Sequence, residues 1–289
     1  MVIANPIYDV VFKRLMENEK VAKFFVSTLL DKEIISLDVQ PQEFTYNDQL
    51  VGIRVFRLDF VALIKTENGH QKILIEIQKA KNQIDLMRFR NYLAEQYKKE
   101  DKVEGIDSTL PITTIYILGF NLPKINTACV KVEREYIDLI NQQIITERSD
   151  FIEKLTHDCY VVQVERIKAN YKTQLDKLLS FFEQSYFVDA SEIVKEYNHE
   201  PTEEETKLMR DILHHSGTNP KEKKLIEIEK EAWRSVNAMF SKEKKAFQQA
   251  IEEKDQALEE KDQALEEKAK ALQEKDRIIK ELKDKLNKQ

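Results

Sequence analysis

A tight turn between two apolar runs is the feature that most constrains the fold of this chain. Residues 53–66 are rich in Val, Phe, Ile and Leu, residues 72–78 are similar, and Glu67-Asn68-Gly69-His70 lies between them. Asn-Gly between two apolar runs is the strongest short-range signal for a β-hairpin. The sequence therefore predicts two antiparallel strands joined at this point.

The predicted register brings three polar residues together. If Asn68-Gly69 forms a two-residue turn, Asp59 lies opposite Gln78 and Val61 lies opposite Glu76. Successive side chains of a strand alternate between its faces, so Asp59, Glu76 and Gln78 emerge on one face. Direct and diagonal neighbours in such a pair lie about 5 to 8 Å apart. A three-residue loop would instead move Asp59 to the other face.

Two neighbouring carboxylates within apolar strands need compensation. Side by side they repel, and one stays protonated unless a cation lies between them. Mg²⁺ suits such a pair, because it takes one or two carboxylates and completes its shell with water and substrate phosphate. A bound Mg²⁺ activates water and neutralises charge that grows on a phosphodiester. The alternative is that Asp59 and Glu76 are strand residues, each paired with an Arg or Lys.

The segments around the hairpin predict an α/β domain. Apolar residues between Ile7 and Leu29 recur at helical spacing, with a start at Asn5-Pro6. Helical spacing returns over residues 85–99 and 175–187, and strand-like runs cover residues 113–120, 128–137 and 159–164. This order favours a mixed sheet with helices on both faces.

These residues resemble a known family. Asp59 followed by Glu76-Ile77-Gln78 is similar to the core of the PD-(D/E)xK nuclease superfamily, and in particular to its Rpn-like group of recombination-promoting nucleases and transposase-like proteins. Asp9, Phe12 and Lys13 resemble that group's first helix, Arg57-Leu58-Asp59 its acidic strand, and Arg88 with Tyr92 a pair on the following helix. The similarity covers roughly residues 4–190.

The resemblance implies a restriction-endonuclease-like core, meaning a mixed central sheet flanked by helices, and a set of site residues. Asp59 and Glu76 would be the ligands of Mg²⁺, or alternatively Mn²⁺, and Asp59, Glu76 and Gln78 would be catalytic. Gln78 stands where the superfamily has a lysine that orients water or steadies the transition state. Because Gln carries no charge and cannot act as a general acid, this departure favours a catalytically weak or inactive member of the family.

Two helical pairs have two interpretations each. Arg88 and Tyr92 are four residues apart and therefore share a helix face. They are predicted either to contact nucleic-acid phosphate or to be a surface Arg beside a core-facing Tyr. Asp9 and Lys13 have the same spacing, and are either an intrahelical ion pair or auxiliary residues that shape the site.

The C-terminal part repeats with a period of seven. One heptad position is held by Ile251, Leu258, Leu265, Leu272, Ile279 and Leu286. The partner core position is Lys254, Lys261, Lys268 and Lys275, becoming apolar only at Leu282. Since a sound coiled coil wants both positions apolar, the tail is predicted either to self-associate or to form a solvated helix. We expect a nuclease-like domain over residues 1–200, a helical linker over 201–245 and a coiled-coil-like heptad helix over 246–289.

Composition excludes some classes of protein. With 46 basic and 52 acidic residues the net charge is −6, so a protein that coats nucleic acid by charge alone is excluded. Cys129 and Cys159 form no CxxC pair, which argues against a zinc ribbon or a disulfide scaffold. The chain shows no signal peptide or long apolar run, so we expect a cytoplasmic protein without membrane contact.

Three functions follow as hypotheses. The first is a Mg²⁺-dependent DNA endonuclease that hydrolyses phosphodiesters with metal-activated water, linked to DNA recombination or a mobile element. The second is a catalytically weak or inactive nuclease-fold module that binds partners or forms a homo-oligomer through its C-terminal helix. The third is a structural scaffold built on that helix.

Overall fold

A computed structural model of the chain describes residues 1–45, 54–66, 69–80, 86–98, 101–103, 106–187 and 193–286. The described helices are α1 Asp9–Met16, α2 Glu19–Leu30, α3 Leu86–Tyr97, α4 Asp150–Leu155, α5 Gln174–Ser180, α6 Glu204–Thr218 and α7 Pro220–Leu286. The strands are β1 Val2–Ala4, β2 Ile34–Thr45, β3 Arg54–Thr66, β4 Gly69–Ala80, β5 Asp101–Val103, β6 Ile106–Ser108, β7 Ile112–Leu118, β8 Cys129–Val132, β9 Tyr136–Asp138, β10 Gln143–Ile145, β11 His157–Gln163 and β12 Val194–Glu196.

A mixed sheet forms the centre of the domain. Among the described residues it has six strands in the order β2-β3-β4-β7-β11-β8. The strands β2, β3 and β4 are antiparallel, β7 runs parallel to β4, β11 runs parallel to β7, and β8 is antiparallel to β11. The mixed α/β class predicted from the sequence is therefore confirmed.

The two faces of the sheet are covered by different helices. On the first face, Phe60, Ile75 and Ile115 are completely buried and join one core cluster with residues of α1, α2 and α5. Within that cluster the Phe12 ring lies 5.6 Å from Phe25 and 6.3 Å from Phe182. On the second face, α3 packs its Phe89 ring 4.8 Å from Tyr116.

The N-terminal region departs from the predicted single helix. The helix is interrupted at residues 17–18. A second helix, α2, follows with Asn18 as its cap, and the Asn18 side chain accepts a hydrogen bond from the Val21 amide at 3.2 Å. A side-chain cap of this kind satisfies a free amide at the start of a new helix. Two consecutive helices can therefore show the apolar spacing of one. The first helix begins at Asp9 rather than at Asn5-Pro6, because β1 pairs with β12 immediately before it.

Two other predicted elements are shorter than expected. The helix predicted over residues 175–187 ends at Ser180, and a 3-10 turn covers Gln184–Tyr186. The strand-like run over 128–137 is divided between β8 and β9, which belong to different sheets.

Much of the segment expected to be a linker belongs to the core. Met209 and Leu213 of α6 and Ile226 of α7 are completely buried, and the first compact unit extends from Met1 to Glu231. The helix α6 lies against β1 at Gly217, where a Cβ atom would stand 2.9 Å from the Ala4 nitrogen. Only a residue without a side chain permits that approach.

The second compact unit, Ala232–Gln289, carries the heptad repeat on the remainder of α7. Ile251, Leu258, Leu265 and Leu272 follow one another every seven residues and are 43–63% exposed. In the described residues no helix combines the length and the apolar character needed to cross a membrane.

Candidate functional site

The register of the β3–β4 hairpin corrects the prediction by two residues. Asp59 pairs directly with Glu76, Arg57 pairs with Gln78, and Gly69 pairs with Thr66 as the first residue of β4. The predicted pairing of Asp59 with Gln78, with Asn68-Gly69 as the turn, is therefore wrong. The strand pairing extends through Gly69, which moves the connection to residues 67 and 68, and these lie outside the described part of the chain.

The predicted common face survives this correction. A shift of two residues preserves the alternation of a strand, so positions 59, 76 and 78 remain on one face of the sheet. The two acidic positions are closer than expected, because directly opposed residues of an antiparallel pair have Cα atoms about 4.5–5.5 Å apart. For Asp59, Glu76 and Gln78 the structure describes the backbone, and their side chains lie outside its described part.

The acidic pair belongs to a row that crosses the sheet. Glu76 is in register with Thr114 of β7, and Thr114 with Cys159 of β11. On the other side Asp59 pairs with Gln40 of β2. Thr114 is completely buried, and its hydroxyl donates to the Asp158 carbonyl oxygen at 3.3 Å. Thr114 was not among the predicted site residues, since nothing in its local sequence indicates which strand lies beside β4.

A second row beside the first contains the position of Gln78. Gln78 is in register with Tyr116, which is half-buried and packs against Phe89 of α3. This contact fixes one end of α3 over the second face of the sheet. Position 78 therefore has an aromatic neighbour that is itself held by a helix.

The other end of α3 is fixed by a polar contact. The Tyr97 hydroxyl lies 2.9 Å from the His157 Nδ1 atom, and the two rings meet edge to face. Tyr116 and His157 stand in the rows on either side of Thr114 and Cys159, so α3 crosses the second face beside the acidic row. Arg88 and Tyr92 lie one turn apart on this helix, as predicted, and their side chains are outside the described part.

Burial favours the neutral form of three described groups at this face, His157, Tyr97 and Cys159. Burial, assisted by the nearby Arg134 charge, lowers the pKa of His157 below its ordinary value, and burial raises the pKa of Tyr97. Burial likewise raises the pKa of the Cys159 thiol. A protonated thiol is a poor nucleophile, so burial disfavours a nucleophilic role for Cys159.

The auxiliary pair lies on another helix. Asp9 and Lys13 are one turn apart on α1, whose Phe12 joins the core cluster of the first face. The Asp9 amide donates to both carboxylate oxygens of Glu229, at 2.9 and 2.8 Å. An Asp9–Lys13 ion pair, and a role for these residues at the site, stay predictions.

Metal-binding clusters are absent from the side chains that the structure describes. No group of three or more His, Cys, Asp or Glu residues in that part is placed to hold an ion. The side chains of Asp59 and Glu76 lie outside that part, so this absence applies to the rest of the domain.

Comparison with known proteins gives no relative for this chain. No protein-family model, no curated protein and no solved structure matches it significantly.

Proposed function

We propose that this chain is a divalent-metal-dependent DNA endonuclease of the PD-(D/E)xK type, with a restriction-endonuclease-like core. The observation that carries the proposal is the direct pairing of Asp59 with Glu76, with Gln78 on the same face. The mixed sheet with helices on both faces agrees with the core that such enzymes are expected to have.

The donor chemistry at these positions fits Mg²⁺. Asp59 and Glu76 would provide two carboxylates for a hard cation, which relieves the repulsion that their pairing imposes. A bound ion would supply an activated water and would neutralise charge that develops on a phosphodiester. Mn²⁺ takes the same ligands and would be the alternative.

The remaining residues of the site would bind the DNA and orient water or phosphate. Gln78 has an amide that can position water or a phosphate oxygen by hydrogen bonding, but it supplies no charge. Arg88 and Tyr92 on α3 would hold the DNA backbone beside the acidic row. Contacts of that kind are local, as the net charge of −6 requires.

Plasmid nicking tests this function. The full-length chain is incubated with supercoiled DNA and Mg²⁺ or Mn²⁺, together with Asp59→Ala and the matched control Asp211→Ala. Asp211 is an exposed acid of α6 that pairs with Arg210 at 3.2 Å. Cleavage should require the metal, should fall to background in Asp59→Ala and should be unchanged in Asp211→Ala.

Two outcomes would contradict the proposal. Equal residual cleavage by the parent and Asp59→Ala would identify a contaminating nuclease. Absence of metal-dependent cleavage of both supercoiled and single-stranded DNA would leave the acidic pair without the proposed chemistry.

A second candidate is a binding or oligomerisation module that acts through the C-terminal helix. It is favoured by the exposed heptad row of Ile251, Leu258, Leu265 and Leu272 and by the uncharged Gln78. Because Lys occupies the partner heptad position, the self-association should be weak and dependent on concentration. Light scattering of the parent and of the double variant Leu258→Lys, Leu265→Lys checks this, and equal masses at every concentration would contradict it.

A further inference from the structure

A short hairpin exposes aliphatic side chains that the domain core does not use. The strands β9 and β10 pair only with each other among the described residues. Leu139 and Ile140 in the loop are 81% and 91% exposed, and Ile137 and Ile144 of the strands are 50% and 63% exposed. Exposed apolar patches on the order of several hundred Å² usually mark an interaction site.

The loop of this hairpin is held in one conformation. The Asp138 carboxylate accepts hydrogen bonds from the Ile140 amide at 2.8 Å, the Asn141 amide at 3.3 Å and the Asn141 side chain at 2.6 Å. Gln142 adopts a positive φ of 55°, and its amide donates to the Asp138 carbonyl oxygen. Because the loop is ordered before any partner binds, docking requires little further loss of conformational entropy.

The base of the hairpin is anchored to the domain by charged groups. Arg134, just before β9, contacts Glu153 of α4 at 2.7 Å and Asp158 of β11 at 2.8 Å. The Tyr136 hydroxyl donates to Glu153 at 2.5 Å, and the Arg148 guanidinium lies 5.0 Å from the Tyr136 ring centre. The hairpin of β9 and β10, residues 136–145, is therefore a fixed arm with an apolar end.

The composition of the arm selects the kind of partner. Residues 139–146 read Leu-Ile-Asn-Gln-Gln-Ile-Ile-Thr and contain no charge. Without basic residues this stretch has no means to attract nucleic-acid phosphate or anionic lipid. Open strand edges are commonly protected by Lys or Pro, and β10 has neither. An unprotected, uncharged edge fits the addition of another extended strand.

We propose that the edge of β10 pairs with the same edge of a second copy of this chain. In an antiparallel, two-fold arrangement the register that uses all three residues of Gln143–Ile145 is centred on Ile144. Since Ile137 stands directly opposite Ile144 on one face of the hairpin, two copies bring four isoleucines together on one face of a four-stranded sheet. Because the edge is uncharged, the pairing brings no like charges together. The contact is isologous, since both copies use the same residues. This proposal is independent of the nuclease function.

Cysteine cross-linking of the full-length chain tests the register. In the proposed pairing the two Ile144 Cα atoms face each other across the two-fold axis, within the range that a disulfide spans. Leu139 is more exposed, but in this arrangement the two loops point away from the axis in opposite directions, too far apart to bridge. Under mild oxidation Ile144→Cys should give a covalent dimer, and Leu139→Cys and the parent should not. In the parent, burial raises the pKa of both Cys129 and Cys159, which disfavours the reactive thiolate of each.

A combined variant distinguishes dimerisation through the β9–β10 hairpin from association through the C-terminal helix. The Ile144→Cys cross-link should persist when Leu258→Lys and Leu265→Lys are also present, because β10 makes the contact by itself. Three results would overturn the proposal: no cross-link at Ile144→Cys, equal cross-linking of Ile144→Cys and Leu139→Cys, or loss of the cross-link in the C-terminal double variant. None of these results depends on whether the chain cuts DNA.

Discussion

Glu229 caps the N-terminus of α1 although it lies 220 residues away from Asp9 in the chain. Its two carboxylate oxygens accept from the Asp9 amide at 2.9 and 2.8 Å, and one of them also accepts from the Val10 amide at 3.4 Å. The residue that precedes the helix, Tyr8, provides no side-chain cap. Glu229 therefore has the role that an Asp or Ser at the helix start has in other proteins.

The cost of removing this cap follows from two contributions. Loss of a side-chain cap costs about 1 kcal/mol, and loss of a negative charge at a helix N-terminus costs roughly 0.3–1 kcal/mol more. Glu229→Ala should therefore lower the free energy of unfolding by about 1.3–2 kcal/mol. Glu229→Gln keeps a hydrogen-bond acceptor without the charge, so its effect should be smaller.

Urea unfolding followed by circular dichroism measures these differences. Glu227→Ala is the matched control, because Glu227 is exposed on the same helix and the substitution changes helix propensity equally. Its free energy of unfolding should stay within about 0.5 kcal/mol of the parent. If Glu229→Ala were no less stable than Glu227→Ala, the carboxylate would not act as the cap of α1.

Three further predictions concern stability. Burial lowers the pKa of Lys195 to about 8, below the pKa of this lysine in the unfolded chain. Above that pH the unfolded state binds more protons than the folded state, so the protein should gain stability as pH rises from about 8 to 10. Urea unfolding at several pH values should show that Lys195→Met lacks this gain, and parallel curves would contradict it. Gly217→Ala should lower the free energy of unfolding by about 1–3 kcal/mol, because its Cβ would meet the Ala4 nitrogen at 2.9 Å; an unchanged thermal midpoint would count against this. Asn18→Ala should cost about 1 kcal/mol through loss of the α2 cap, and Asn18→Asp, which keeps the acceptor, should stay close to the parent in the same urea assay.

Much of the hairpin could be predicted from local sequence. The assumed two-residue turn, together with the alternation of strand faces, assigned positions 59, 76 and 78 to one face, and the backbone register places them there. The turn position was wrong because Asn-Gly is a preference of an isolated hairpin, whereas the pairing of the whole strands fixed the register. A shift of two residues leaves the faces unchanged, so the common face survived the wrong turn position, whereas a shift of one residue would have removed it.

Other parts of the candidate site were beyond local reasoning. Thr114 and Tyr116 adjoin Glu76 and Gln78 because β7 lies parallel to β4, and parallel neighbours are joined through a crossover rather than a turn. Likewise, nothing in the local sequence around Glu229 indicates that its carboxylate accepts from the Asp9 amide.

The sequence by itself determined the α/β class, the common face of Asp59, Glu76 and Gln78, and the long helix with its heptad repeat. The helices and strands follow from periods of three to four and of two residues in local sequence, and the common face follows from the period of two together with a short connection between β3 and β4. The tertiary structure alone decided which strand borders the acidic pair, which distant carboxylate caps α1, and that α6 belongs to the core. It also left the end of the β9–β10 arm outside that core, because pairing and burial between distant segments depend on the packing of the whole domain.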